Sequence, residues 1–197
     1  MNMLTARHAI ILILVVTGCL MVMPSVSGAQ VRTKYRGEYK ATLNDLKSTF
    51  NIYAQGYDNA KDASDQLATT MMATTDHDLL VAYETQALIA YNANLGKPEE
   101  WNTSYAKVVD TFRGKASRYF VAIKQQTRFK TACNKLKSSA RKLILQANVH
   151  VYASFQELSN EPPDYVTAAL QLDFGDEDAG AGHEGFDKQA AALKALL

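Results

Sequence analysis

From residue 36 to 74 apolar and aromatic side chains return every three to four residues, and this constrains the fold more than anything else in the sequence. One seam position of a seven-residue repeat holds Arg36, Leu43, Phe50, Tyr57, Ser64 and Met71; the other holds Tyr39, Leu46, Tyr53, Ala60, Leu67 and Thr74. Nine of these twelve are apolar or aromatic, which predicts a long amphipathic helix rather than a strand. At 1.5 Å per residue it would run about 55–60 Å. A helix of that length cannot bury its stripe alone, so coiled-coil-like packing against other long helices follows.

The rest of the chain supplies them. Thr75-Asp76-His77-Asp78 reads as a stop and a capped restart. Leu80, Tyr83, Ala87, Ala90 and Asn94 mark a second helix, closed by Asn94-Leu95-Gly96-Lys97-Pro98. There Gly96 suits the left-handed stop and Pro98 the first turn of a third helix. The third seam runs through Trp101, Tyr105, Val108 and Phe112, then Ala116, Tyr119 and Ile123. A fourth runs through Phe129, Cys133, Leu136, Ala140, Leu143 and Ala147 and continues as Val151, Phe155 and Leu158. No strong breaker separates the third and fourth, and a turn is placed near residues 125–128 because an unbroken helix over 98–160 would be about 90 Å long. Pro162-Pro163 closes this region, and Asp164 caps a short helix to about Leu172.

The predicted fold is therefore all-α, an elongated antiparallel bundle of about four helices. Its domain spans residues 30–173. Residues 174–185, rich in glycine and acids, read as a flexible linker. Residues 186–197 form a short amphipathic helix with Phe186, Ala190, Leu193 and Leu197 on one face. Twelve residues are marginal alone, so this helix is expected to dock on the bundle or on a partner.

Residues 1–29 have a different character. Arg7 precedes an apolar run from Ala9 to Met23, interrupted at Thr17-Gly18; Pro24 follows, and Ser27 and Ala29 offer the small residues a signal peptidase needs. The apolar core is shorter than the ~20 residues of a membrane span. Cleavage after Ala29 is the expected route, giving a secreted or periplasmic protein of 168 residues. Val16-Thr17-Gly18-Cys19 also resembles the lipobox of bacterial lipoproteins, which implies lipidation at Cys19 and a membrane tether. The apolar Leu20-Met21-Val22-Met23 after it is unlike the polar linker such a tether carries. Beyond residue 29 only Cys133 remains, so no intramolecular disulfide staples the domain and its core must hold by packing. Asn102-Thr103-Ser104 is a glycosylation sequon, meaningful in a eukaryotic source.

Charge is unevenly distributed along the chain. Lys107 to Lys142 contains eleven Lys or Arg and one acid, Asp110; Glu157 to Asp187 contains nine acids and no Lys or Arg. Asp58 to Glu84 is acidic too, with Lys61 its sole base. In the fourth helix Arg128, Lys135 and Lys142 share one heptad position and Lys130 and Lys137 another, a positive face suited to an anionic partner. Internal complementarity is the competing account, in which these cations face the acidic second helix or the tail from Asp173 to Asp187.

Residues that carry catalysis are not apparent. His77, His150 and His183 are isolated from one another in sequence, and Asp76, His77 and Asp78 point in different directions on a helix. No di-iron, covalent-haem, zinc-hydrolase, nucleophile or phosphate-loop motif occurs. A haem held by His150 with Met71 or Met72 is the one cofactor arrangement the residues suggest, and methionine at helical spacing is more often core. No cofactor or metal is expected. The ten tyrosines fall largely on the seams, as core residues with hydroxyls reaching the rim. The functional expectation is an exported, non-enzymatic bundle that binds or scaffolds a protein or envelope partner. A redox or metal-bearing bundle and a binder of anionic polymer or lipid are the alternatives. Nucleic acid is not an expected partner, membrane contact requires Cys19 lipidation, and self-association is open.

Overall fold

The computed structural model describes residues 30–197, so the leader reading and Cys19 lie outside the described residues. Those described are helical, with no strand among them. After a 3-10 turn at Thr33–Tyr35, α1 runs from Arg36 to Met72. It buries Tyr39, Leu43, Leu46, Phe50, Ala54, Tyr57, Ser64, Leu67 and Met71, the four-and-three spacing of the seam. The chain reverses, and the Asp76 carboxylate accepts the backbone N–H groups of Asp78 (2.9 Å) and Leu79 (3.3 Å) to start α2, His77–Asn94. Gly96 takes φ +82°, a left-handed geometry that only glycine adopts cheaply. α3, Lys97–Gly114, opens with Pro98 in its first turn.

α2 and α3 act as one kinked rod antiparallel to α1. Tyr105 donates to the Leu46 carbonyl at 3.1 Å, Tyr53 stacks on Trp101, and Phe112 meets Tyr39. A single turn, α4 (Ala116–Tyr119), leads into α5, Ile123–Arg141. The break falls at residues 120–122, not at the expected 125–128. Phe120 turns extended and is fully buried against Tyr39 and Phe129. Gln126 donates to the freed Phe120 carbonyl at 3.1 Å. Burial of one aromatic ring therefore ends the helix where no breaker residue does.

α5 passes without interruption through a π turn, Lys142–Ala147, into α6, Asn148–Leu158. A π turn displaces carbonyls from their usual partners. The buried Asn148 side chain restores two of them, donating to Leu143 (3.1 Å) and Ile144 (3.4 Å). Asp164 then caps α7 through the Thr167 N–H (2.9 Å), a bond that holds its carboxyl below the usual range. α7 runs from Tyr165 to Lys194 and lies antiparallel to both α1 and α5–α6. Tyr39 donates to the Leu193 carbonyl at one end (2.9 Å) and Tyr57 to Asp176 further along (2.8 Å). The result is a bundle of four rods running up, down, up and down: α1, α2–α3, α5–α6 and α7.

The expected linker at 174–185 and the separate helix at 186–197 are corrected: both belong to the single helix α7. Its buried face runs Ala168, Leu172, Gly175, Ala179, Gly182, Phe186, Ala190 and Leu193, the same four-and-three spacing. Glycine here provides proximity, not freedom. A β-carbon on Gly182 would sit 2.9 Å from the Leu143 nitrogen and 3.1 Å from the Ser139 carbonyl; one on Gly185 would collide with the Ser139 side chain. The absence of a β-carbon lets the α7 backbone lie against the π turn, where dispersion and Cα–H···O contacts replace side-chain packing.

Candidate functional site

The five cations singled out on the predicted fourth helix, four on α5 and Lys142 at the start of the π turn, do not form a uniform face. Lys137 is neutralised by Asp110, with Nζ 2.8 and 2.9 Å from its two oxygens. Arg113 joins the same carboxylate and donates to Asn134. Lys115 (2.8 Å) and Arg118 (2.9 Å) clamp Glu38, and the Lys115 hydrogen bond foremost holds that carboxyl below the usual range. These cations tie α3, α4 and α5 together or to α1. Arg128, Lys130, Lys135 and Lys142 are exposed and have no ion-pair partner among the described residues.

Internal complementarity takes a different form from the one expected. The tail acids do not neutralise the basic helices. Asp176 pairs with Lys61 and accepts from Tyr57, while Asp178 lies 3.9 Å from His150. Cross-helix neighbours fix the levels along the bundle: Phe50 meets His183 and Phe186, and Gly175 meets Tyr57 and Ala147. A plane near Ala54, Gly96, Leu145 and Ala179 thus divides it. On one side, residues 30–54, 97–145 and 180–197 carry nineteen Lys or Arg against seven acids, a net of +12. On the other, residues 55–96 and 146–179 carry thirteen acids against Lys61, a net of −12. The molecule is a rod with a cationic half and an anionic half.

Arg128 and Lys135 border a groove of about 480 Å³ in the cationic half, between α5 and the last turns of α7. Its floor is apolar, made by Ala132, Ala192, Ala195 and Leu196, with Thr127, Thr131 and Gln189 on the walls. A second groove, about 370 Å³, lies at the α2–α3 kink against α6, lined by Tyr91, Leu95, Pro98, Val149 and Tyr152 among others. Exposed large apolar side chains collect in the anionic half: Leu79, Val81, Leu88 and Ile89 on α2, and Val166, Leu170 and Phe174 on α7. The last three were missed in the sequence, although their spacing of four was a visible stripe beside the seam.

The residues expected to dock a partner are committed to the bundle. Phe186 stacks on Phe50 with ring centroids 3.8 Å apart, and Ala190 and Leu193 are buried. Leu197 is half-buried, and its main-chain oxygen accepts from Arg36. Cys133 lies in the core, where burial pushes its thiol up to about 12. Tyr39, Tyr57, Tyr105 and Tyr119 are buried seam residues: the hydroxyls of Tyr57 and Tyr119 reach carboxylates near the rim as expected, those of Tyr39 and Tyr105 bond main-chain carbonyls inside the core instead, and burial raises the pKa of each. His150 bonds Gln171 through Nδ1 (2.7 Å) and lies against Phe174, while His183 packs edge-on to Phe50. Met71 is buried on the α1 seam and Met72 is exposed. Among the described residues no cluster of three His, Cys, Asp or Glu is placed to hold a metal, and no helix is long and apolar enough to cross a membrane.

No family model, no curated protein and no solved structure matches this chain.

Proposed function

We propose that the chain is an exported, non-enzymatic binding or scaffolding protein, delivered by the leader-like residues 1–29. Its working surface is the cationic half of the bundle, centred on Arg128, Lys135 and the groove between α5 and α7. The observation that supports this is the contrast among its cations. Lys137 and Arg113 share Asp110, and Lys115 and Arg118 share Glu38, whereas Arg128 and Lys135 stand without acids beside an apolar floor. A net charge of +12 confined to one half raises the local concentration of anionic surfaces, and an apolar groove gives such an encounter something to bury. The partner this favours is a protein surface that is acidic with an apolar projection; a bare polyanion would have no use for the groove floor.

The experiment is affinity capture from the native source with wild-type protein and with the double variant R128E/K135E, the bound material being identified in both. A defined protein present with wild type and lost with the variant supports the reading. Identical capture by both, or capture of nucleic acid or polysaccharide alone, overturns it.

A further inference from the structure

The surface that meets this description is on the molecule itself. In the anionic half, Leu170 and Phe174 stand 48% and 49% exposed on successive turns of α7, large apolar side chains half open to solvent. Asp173 and Glu177 flank them, both exposed. Phe174 lies against His150 on α6, so this stripe is on the α5–α6 side of α7. The groove opens on the same side, because Ala192 follows Phe174 by 18 residues, five full turns or about 27 Å. One face of the bundle thus carries an apolar knob set in acids near one end and an apolar groove set in bases near the other.

We propose that two copies of the chain pair antiparallel through this face, the Leu170–Phe174 knob of each entering the Arg128–Lys135 groove of the other. The proposal rests on the reading of the groove as the working surface and names its occupant. Knob and groove lie on one face with opposite charge, so a two-fold axis near the middle of α7 satisfies both contacts at once and closes the assembly. A strip two helices wide along α7, about 45 by 20 Å, offers roughly 900 Å² per partner, the size of a standard interface. Aligning each cationic half with an anionic half removes the end-to-end imbalance that the lone rod carries, and makes the pairing sensitive to salt.

The test is sedimentation velocity on purified protein at about 100 µM and low salt, repeated at about 500 mM salt, where the screening length is only a few ångströms. Wild type should sediment as a dimer that weakens at high salt. L170D/F174D should weaken the dissociation constant about 100-fold or more, and neither side chain is needed for the core. R128E/K135E alone and D173K/E177K alone should each be monomeric, and their equimolar mixture should recover a heterodimer because both contacts are then complementary. A monomeric wild type overturns the proposal, as does a dimer indifferent to L170D/F174D or a mixture that stays monomeric. Larger species growing with concentration would replace the closed pair by an open chain and also overturn it. If wild type and L170D/F174D capture another protein that R128E/K135E does not, while wild type is monomeric, the groove binds and only self-pairing falls.

Discussion

Gly180 and Gly182 lie two residues apart in the middle of α7, and the same substitution should have opposite effects on them. A β-carbon at Gly180 meets nothing within 4 Å, so Gly180→Ala gains only the helix preference of alanine over glycine, about 0.5–1 kcal/mol. At Gly182 the new carbon would lie 2.9 Å from the Leu143 nitrogen, 3.0 Å from the Leu143 β-carbon and 3.1 Å from the Ser139 carbonyl. Two of these are backbone atoms of the opposing helix and cannot swing aside. Overpacking costs about 1–3 kcal/mol, and against fixed backbone atoms the upper part of that range, about 2–3 kcal/mol, applies; less the helix gain, this leaves a net loss of about 1–2.5 kcal/mol. For a domain of this size 1 kcal/mol moves the melting temperature by about 2–4 °C. Thermal unfolding followed by far-ultraviolet circular dichroism should place Gly180→Ala about 1–4 °C above wild type and Gly182→Ala about 2–10 °C below it. A Gly182→Ala protein as stable as Gly180→Ala would refute close seating of α7 on the π turn. If neither variant shifts the transition, residues 174–185 are a linker after all.

Phe186→Ala should cost about 3–5 kcal/mol, because it removes a fully buried ring stacked on Phe50; urea denaturation checks this, and a loss below about 1 kcal/mol would show that the last turns of α7 are not part of the cooperative core. Glu38 predicts an acid-side effect. Its carboxyl is held below the usual range by Lys115, Tyr119 and Arg118, so its contribution to stability is complete above the ordinary carboxylate pKa and is lost as pH falls through the lowered value. Glu38→Gln should therefore flatten the acid limb of a stability–pH profile measured by urea unfolding between about pH 5 and 2, whereas a parallel displacement of the whole curve would argue against that linkage.

The long elements were legible because periodicity and punctuation agreed. Tyr39 through Met71 gave α1, Asp76 its successor, and Gly96-Lys97-Pro98 the kink. Where the two signals parted, the structure differed. The start of α5 is set by burial of Phe120 among Tyr39, Tyr119 and Phe129, a contact that joins segments some eighty residues apart and that no local pattern records. Residues 174–185 looked like a linker because their buried face is Gly175, Ala179 and Gly182, which add no hydrophobicity. Their value appears only when the π turn of the opposing helix approaches to contact distance. The groove was legible only in part: Arg128 and Lys135 stood out as charges, but its floor joins Ala132 to Ala192, sixty residues on.

The sequence by itself determined that residues 30–197 adopt an all-α fold, where most seams lie, and that bases and acids occupy separate stretches. Only the tertiary structure decided what that separation means. Folding four rods up and down brings the acidic stretches 58–84 and 157–178 to one end and the basic stretch 107–142 to the other. Had the acids of α7 lain beside the cations of α5, the two would have cancelled within the molecule. The antiparallel course of α7 sets Asp173, Asp176, Glu177 and Asp178 beside α6 and the far half of α1, leaving Arg128 and Lys135 with no acid to meet among the described residues. The physical reason is that helix direction is chosen by the buried seam, from Ala168 to Leu193, and the charges on the outer faces go wherever that seam places them.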